Sequence, residues 1–141
     1  MTQDTRLAEI VAEHASREGP LLPILHDVQA AFGCIDRDAE AQIAQALNLS
    51  RAEVHGVVSF YHDFCQSPDP RPEIQLCRAE SCQARGVEAL VAPAQAAAGD
   101  RVRIKTVYCL GLCSVGPAAR HGGQLYARLD EAALARLVQS V

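Results

Sequence analysis

The sequence predicts an α+β chain: a small N-terminal helical bundle, a Pro-rich linker, and a C-terminal domain that is a small α/β sandwich. Three observations carry this. Apolar residues recur at helical spacing up to about Tyr61, three prolines crowd the run Ser67-Pro68-Asp69-Pro70-Arg71-Pro72, and beyond it short strand-like segments alternate with helical ones. With 141 residues, 49% hydrophobic and 21% charged, and a mean hydropathy of +0.01, the chain has apolar material for one domain or two small ones. That excludes wholesale disorder, collagen and low complexity. Aromatics make up only 4%, with no Trp, and Ala is abundant, which favours helix over an all-β sandwich.

Residues 1–66 are expected to form the bundle. Leu7, Ile10 and Val11 recur before Gly19-Pro20 breaks the pattern, and Leu25, Val28 and Phe32 continue it until Gly33 supplies a stop. Asp36 caps a third helix carrying Ile43 and Leu47. Ser50-Arg51-Ala52-Glu53 has the spacing of a capping box that opens a fourth, with Val54, Val57, Val58 and Tyr61 following. Residues 67–72 are the linker, because neither a helix interior nor a central strand accepts such a density of proline. In residues 73–141, Glu73 to Cys77 reads as a strand, Cys82 to Ala98 as a helix interrupted near Pro93, and Val102 to Tyr108 as a second strand. His121-Gly122-Gly123 separates two short runs as a hairpin, and Asp130 caps a final helix with Leu134, Leu137 and Val138 on one face. The order expected is β-α-β-β-α, with the first two strands parallel because a helix joins them.

The formal net charge is −4, and no basic stripe interleaved with aromatics is present, so nucleic acid does not fit as a partner. Up to Pro72 there are 5 Arg/Lys against 11 Asp/Glu; after it there are 8 against 6. No apolar run approaches the ~18 residues of a membrane span. Asp4 and Glu9 stand where a signal peptide would be basic and then apolar, so no membrane insertion and a cytoplasmic location are expected.

In a reducing compartment the six cysteines point to metal or redox chemistry rather than to a disulfide framework. Four of them form two clusters, Cys77-x4-Cys82 and Cys109-x3-Cys113, each just after an expected strand and with 26 residues between Cys82 and Cys109. If those strands are parallel neighbours, both loops leave the same end of the sheet and four sulfurs converge. Four thiolates suit a [2Fe-2S] cluster or structural zinc, and ligand count alone does not choose. Gly111, Gly116 and Pro117 let the second loop wrap closely and aim N–H groups at sulfur. The x4 and x3 spacings are wider than the C-x2-C knuckles usual for zinc. Both features favour a two-iron core, with zinc and unrelated buried thiols as the other readings. Plant-type ferredoxin spacing fails for want of a third Cys near Cys82, a Rieske centre fails for want of two His, and the lack of C-x-x-C argues against a thiol-exchange enzyme.

These motifs, Cys77-x4-Cys82-x3-Gly86 and Cys109-Leu110-Gly111-x-Cys113-x3-Pro117, preceded by Glu53-Val54-His55-Gly56-Val57-Val58-Ser59-Phe60-Tyr61, carry a family resemblance. The chain resembles, over roughly residues 20 to 141, the thioredoxin-like [2Fe-2S] subunit of respiratory complex I and its relatives. Those include diaphorase subunits of NAD-reducing hydrogenases and the gamma subunit of NAD-dependent formate dehydrogenase. The stretch Cys77-Arg78-Ala79-Glu80-Ser81-Cys82-Gln83-Ala84 looks most like the formate dehydrogenase branch. Gly116 stands where many complex I relatives have Ala, a small-for-small exchange.

The resemblance implies a thioredoxin-like [2Fe-2S] ferredoxin domain after the bundle, with Cys77, Cys82, Cys109 and Cys113 as ligands of one cluster. It also implies an electron-transfer role within an NAD-dependent oxidoreductase, with no substrate-converting residue in this chain. The implied partners are a subunit holding FMN and the NAD site, beside which the helical domain docks, and a formate-oxidising subunit with a molybdenum cofactor. A complex I or hydrogenase diaphorase is the alternative parent, and a zinc-stapled interaction module the alternative class.

Because reduction adds a negative charge to the cluster, nearby cations would raise its potential. Arg78, Arg85, Arg103 and Lys105 are the candidates. At ~6 Å and an effective dielectric of ~20, one cation contributes about 2.8 kcal/mol, roughly 120 mV for one electron before solvent screening. Cys34 and Cys65 are expected to be ordinary part-buried thiols, the five His to do no chemistry, and Phe60 and Tyr61 to pack into the core of their own domain.

Overall fold

The computed structural model describes residues 3–141. They form two compact units, one ending at Asp69 and the other spanning Pro70–Val141.

The first unit holds α1 (Gln3–His14), α2 (Leu21–Phe32), α3 (Arg37–Leu47) and α4 (Arg51–Phe60). The Asp36 carboxylate accepts the Ala39 N–H at 2.8 Å at the start of α3. At the start of α4 the Ser50 hydroxyl and the Glu53 carboxylate take each other's backbone N–H groups at 3.2 and 2.8 Å. Gly33 and Asn48 end α2 and α3 in the left-handed region, each returning its N–H to the last turn. Leu7, Ile10, Ile24, Leu25, Val28, Ile35, Ile43, Val54, Val58 and Phe64 are buried together, each large aliphatic contributing roughly 1.5–3 kcal/mol. Phe60 and Tyr61 do not join them, contrary to expectation. Phe60 is 74% and Tyr61 43% exposed: Phe60 lies on the face of α4 opposite buried Val54 and Val58, and Tyr61, which would continue the buried face, comes after the helix has ended. The buried ring is Phe64, against which Tyr61 stacks edge-on with centroids 6.1 Å apart.

The second unit holds β1 (Glu73–Cys77), α5 (Glu80–Ala84), α6 (Glu88–Ala98), β2 (Arg103–Val107), a 3-10 turn (Cys113–Val115), β3 (Ala119–His121), β4 (Gln124–Tyr126) and α7 (Glu131–Ser140). It thus has one strand and one α-helix more than the β-α-β-β-α order. The sheet runs β2-β1-β3-β4, with β1 parallel to β2 and antiparallel to β3. The expected helix at 82–98 is two helices, and the break is at Gly86 (φ 90), not at Pro93. Pro93 lies inside α6, where its ring removes one helical hydrogen bond while Ala94 and Ala98 stay buried. The hairpin turn is Gly122-Gly123, and His121 closes β3 with its Nδ1 2.9 Å from the Glu73 carbonyl oxygen. Ile74, Leu76, Val87, Val102, Ala119, Leu134 and Val138 form this unit's core with the Cys77 and Cys82 side chains. No described helix is long and apolar enough to cross a membrane.

Candidate metal centre

Parallel pairing sets the site. Cys77 is the last residue of β1 and stands in register with Val107, the last of β2, so the two cysteine-bearing loops leave the C-terminal end of the parallel pair side by side. The Arg78 N–H continues the ladder to the Val107 carbonyl at 2.9 Å, and the Cys77 N–H reaches the Ala118 carbonyl at 3.0 Å. Cys77 is therefore held between both neighbouring segments, while Cys82 is carried by the short helix α5.

The second loop bends through two left-handed residues, Cys109 (φ 75) and Gly111 (φ 78). Such a φ is strained for a residue with a Cβ. The bend delivers the Cys109 N–H to the Cys77 sulfur at 3.3 Å, and the Gly111 N–H to the Cys109 sulfur at 3.4 Å. The Ser81 hydroxyl, from the first loop, donates to the Cys113 carbonyl at 2.7 Å and ties the loops together. Sequence reasoning missed Ser81, because its partner lies 32 positions away and no spacing signals it.

The four sulfurs stand as two pairs. Cys109 and Cys113 are exposed with their Sγ atoms 3.6 Å apart, whereas Cys77 and Cys82 are buried and hydrogen-bonded to each other. Burial pushes the Cys77 thiol up, yet N–H donors from Ala79, Cys109 and Leu110 and the Cys82 thiol outweigh it, and Cys77 sits below the ordinary thiol range. Burial, the Cys77 hydrogen bond and the charges of Cys77 and Cys113 raise Cys82. Cys113 is raised by its hydrogen bond to Cys109 and by that neighbour's charge. Thiols ligate metal as thiolates, so a centre that used these four sulfurs would need the positive charge that metal ions provide.

Among the described residues, no set of three or more His, Cys, Asp or Glu side chains is drawn tightly enough to hold a single metal ion. Two sulfur pairs with backbone N–H groups aimed at them fit a two-iron centre better than one tetrahedral ion. Gly116 adds a steric requirement: a Cβ there would lie 3.0 Å from the Cys82 sulfur and 3.3 Å from Cδ of Arg85. Exchange for Ala at this position is thus not neutral.

The cations expected around the site are mostly paired. Arg78 forks onto Glu88 with contacts of 2.9 and 2.6 Å, Arg103 pairs with Glu73, and Lys105 lies 4.0 Å from the same carboxylate. Arg85 is exposed and makes no ion pair among the described residues. Cys65 is bonded within the first unit, where its thiol donates to the Gly33 carbonyl at 3.2 Å.

Residues 7–141 match the sequence profile of the thioredoxin-like [2Fe-2S] ferredoxins. The chain belongs to that family. The match begins at Leu7 and so takes in the greater part of α1, beyond the residues that carried the resemblance in sequence. Among its relatives, one NADH-quinone oxidoreductase subunit from Rhizobium meliloti (strain 1021) is 29% identical, the alignment covering 99% of this chain and 89% of that one. The HndA subunit of the NADP-reducing hydrogenase of Solidesulfovibrio fructosivorans is 27% identical over 85% of this chain and 75% of that one. Among solved structures, an NAD+-reducing [NiFe]-hydrogenase in its H2-reduced state superposes with a TM-score of 0.66 at 30% identity, covering 82% of this chain. This chain spans only 21% of that hydrogenase chain. The cofactor of the family is a [2Fe-2S] cluster.

Proposed function

We propose that Cys77, Cys82, Cys109 and Cys113 hold one [2Fe-2S] cluster and that the chain is an electron-transfer subunit of a cytoplasmic, NAD-linked oxidoreductase. The observation that carries this is the convergence of two cysteine loops at one end of a parallel strand pair, with N–H groups of Cys109 and Gly111 directed at sulfur. When bound, the cluster supplies a one-electron store. The chain's own residues hold and tune it: N–H donors at the sulfurs favour added negative charge, Ser81 fixes the spacing of the loops, and Arg85 supplies a cation with no ion-pair partner among the described residues. The exposed Cys109–Cys113 pair is the side through which electrons enter or leave, since Cys77 and Cys82 are buried.

The partner we assign is a subunit carrying FMN and the NAD site. For the parent assembly, the Cys77–Ala84 stretch supports an NAD-dependent formate dehydrogenase with a molybdenum cofactor in a further subunit. The relatives found support a second reading, a quinone-linked or hydrogen-linked complex, since their names place them in NADH-quinone oxidoreductases and in NADP-reducing and NAD+-reducing hydrogenases. Affinity purification of the complex followed by metal analysis separates the two. Molybdenum with formate-dependent NAD+ reduction supports the first; nickel with hydrogen-dependent reduction, or quinone-linked NADH oxidation, supports the second; a chain without a flavoprotein partner contradicts both.

A further inference from the structure

We propose that Cys34 and Cys65 are a redox-modifiable thiol pair, which a low-molecular-weight disulfide converts to an intramolecular disulfide that latches the segment after α4 onto the end of α2. Neither thiol belongs to the four at the candidate centre, so the inference stands apart from the function proposed above.

The backbone sets Cys65 opposite Cys34. The Cys65 carbonyl accepts the Ile35 N–H at 2.8 Å, and the Cys65 thiol donates to the Gly33 carbonyl at 3.2 Å, so Cys65 is bonded to the residues on both sides of Cys34. Gln29 fixes it there, its side-chain oxygen accepting the Cys65 N–H at 2.8 Å and its amide donating to the Asp63 carbonyl. The Cys65 thiol also acts electrostatically on the Cys34 thiol, which sets the two side chains near one another, and a disulfide asks for a Cα separation of roughly 4.4–6.8 Å. Closure asks the Cys65 side chain to turn from the Gly33 carbonyl toward the Cys34 sulfur.

The two thiols differ in access. Cys34 is buried and Cys65 half-buried. Burial pushes the Cys34 thiol up, and the nearby Cys65 and Asp36 push it further, so Cys34 is the poorer first nucleophile. The Cys65 thiolate attacks a sulfur of the small disulfide, forms a mixed disulfide and releases one small thiolate. Cys34 then loses its proton to solvent, and its sulfur attacks the Cys65 sulfur and displaces the second small thiol. The protein loses two electrons and two protons, and the small disulfide leaves as two thiols. In a reducing compartment the pair rests open and closes under oxidative load. Closed, it holds Phe64, the residue before Cys65, in the core of the helical unit.

The test uses the full chain with its cluster loaded, equilibrated against a series of oxidised-to-reduced glutathione ratios, alkylated, and mapped by mass spectrometry. A peptide cross-linked through Cys34 and Cys65 is expected to grow with the ratio while the visible absorption stays unchanged. Cys34→Ala and Cys65→Ala should each abolish it, and the wild-type map alone decides if either variant fails to fold. Cys65 stopping at the glutathione mixed disulfide, or both thiols staying open to alkylation at every ratio, overturns the proposal.

Discussion

Replacing Gly116 with Ala tests the geometry around Cys82 with a single methyl group. Gly116 has φ −66 and ψ 169, which any residue before a proline adopts, so backbone strain does not contribute. The added Cβ would sit 3.0 Å from the Cys82 sulfur and 3.7 Å from its Cα. Arg85 is exposed and can swing its Cδ away, but Cys82 is 2% exposed and its sulfur has no room to retreat. Overpacking of this kind costs about 1–3 kcal/mol. A Gly→Ala exchange returns about 0.4–1 kcal/mol by restricting the unfolded chain. The net is a loss of about 1–2 kcal/mol, a fall of very roughly 4–15 °C in the melting of a unit this small. Thermal denaturation of the chain followed by circular dichroism reads that fall, and the visible spectrum of the loaded protein reads the displaced sulfur. Gly123→Ala is the control, since nothing lies within 4 Å of its Cβ and its φ is not positive. If Gly116→Ala melts with the wild type and keeps its spectrum, the Cys82 sulfur is not confined as described.

The other expectations follow from single contacts. Cys82→Ser and Cys109→Ser should each abolish or distort the visible absorption of the reconstituted protein, and an intact spectrum would remove those residues from the ligand set. Arg85→Ala should lower the midpoint potential more than Arg78→Ala, because Glu88 already neutralises Arg78; a redox titration with the opposite ranking contradicts the charge argument. Gly56→Ala, in the exposed middle of α4 with open space around it, should stabilise the helical unit by about 0.5–1 kcal/mol in urea denaturation, and any destabilisation refutes that. Ser50→Ala should cost about 1 kcal/mol by loss of the cap. The Glu53 carboxyl is held below its usual range chiefly by the Ser50 backbone N–H. Its contribution is therefore present above the ordinary carboxylate pKa and is lost as pH falls through the folded value. The stability difference between wild type and Glu53→Gln should shrink on acidification through that window, and a difference that grows there reverses the sign.

Most of the architecture was legible because local chemistry and tertiary demand agree. The caps at Asp36, Ser50 and Asp130 and the apolar spacing of Leu7, Ile10 and Val11 each satisfy backbone and core at once. Pro93 misled because its local cost is outweighed by burial of Ala94 and Ala98, so the helix continues through it. Tyr61 misled because periodicity places a residue on a face only while the helix lasts, and Phe60 misled because its position in α4 is opposite the buried Val54 and Val58. At the candidate centre the cysteine spacing was readable, and parallel pairing of β1 and β2 turned it into convergence. Ser81 and Gly116 were not readable, since their roles depend on atoms from distant parts of the chain: the Cys113 carbonyl for one, the Cys82 sulfur for the other. Nor did charge counting show that Arg78 and Arg103 are held by Glu88 and Glu73, which weakens their expected effect on a nearby cluster.

The most direct measurement is iron, acid-labile sulfide and zinc content of the chain purified under anaerobic conditions, with an electron paramagnetic resonance spectrum before and after reduction. Two irons and two sulfides per chain, with a signal that appears on reduction, are the result this account requires. Stoichiometric zinc in a colourless protein, or four freely titrating thiols with no bound metal, contradicts it.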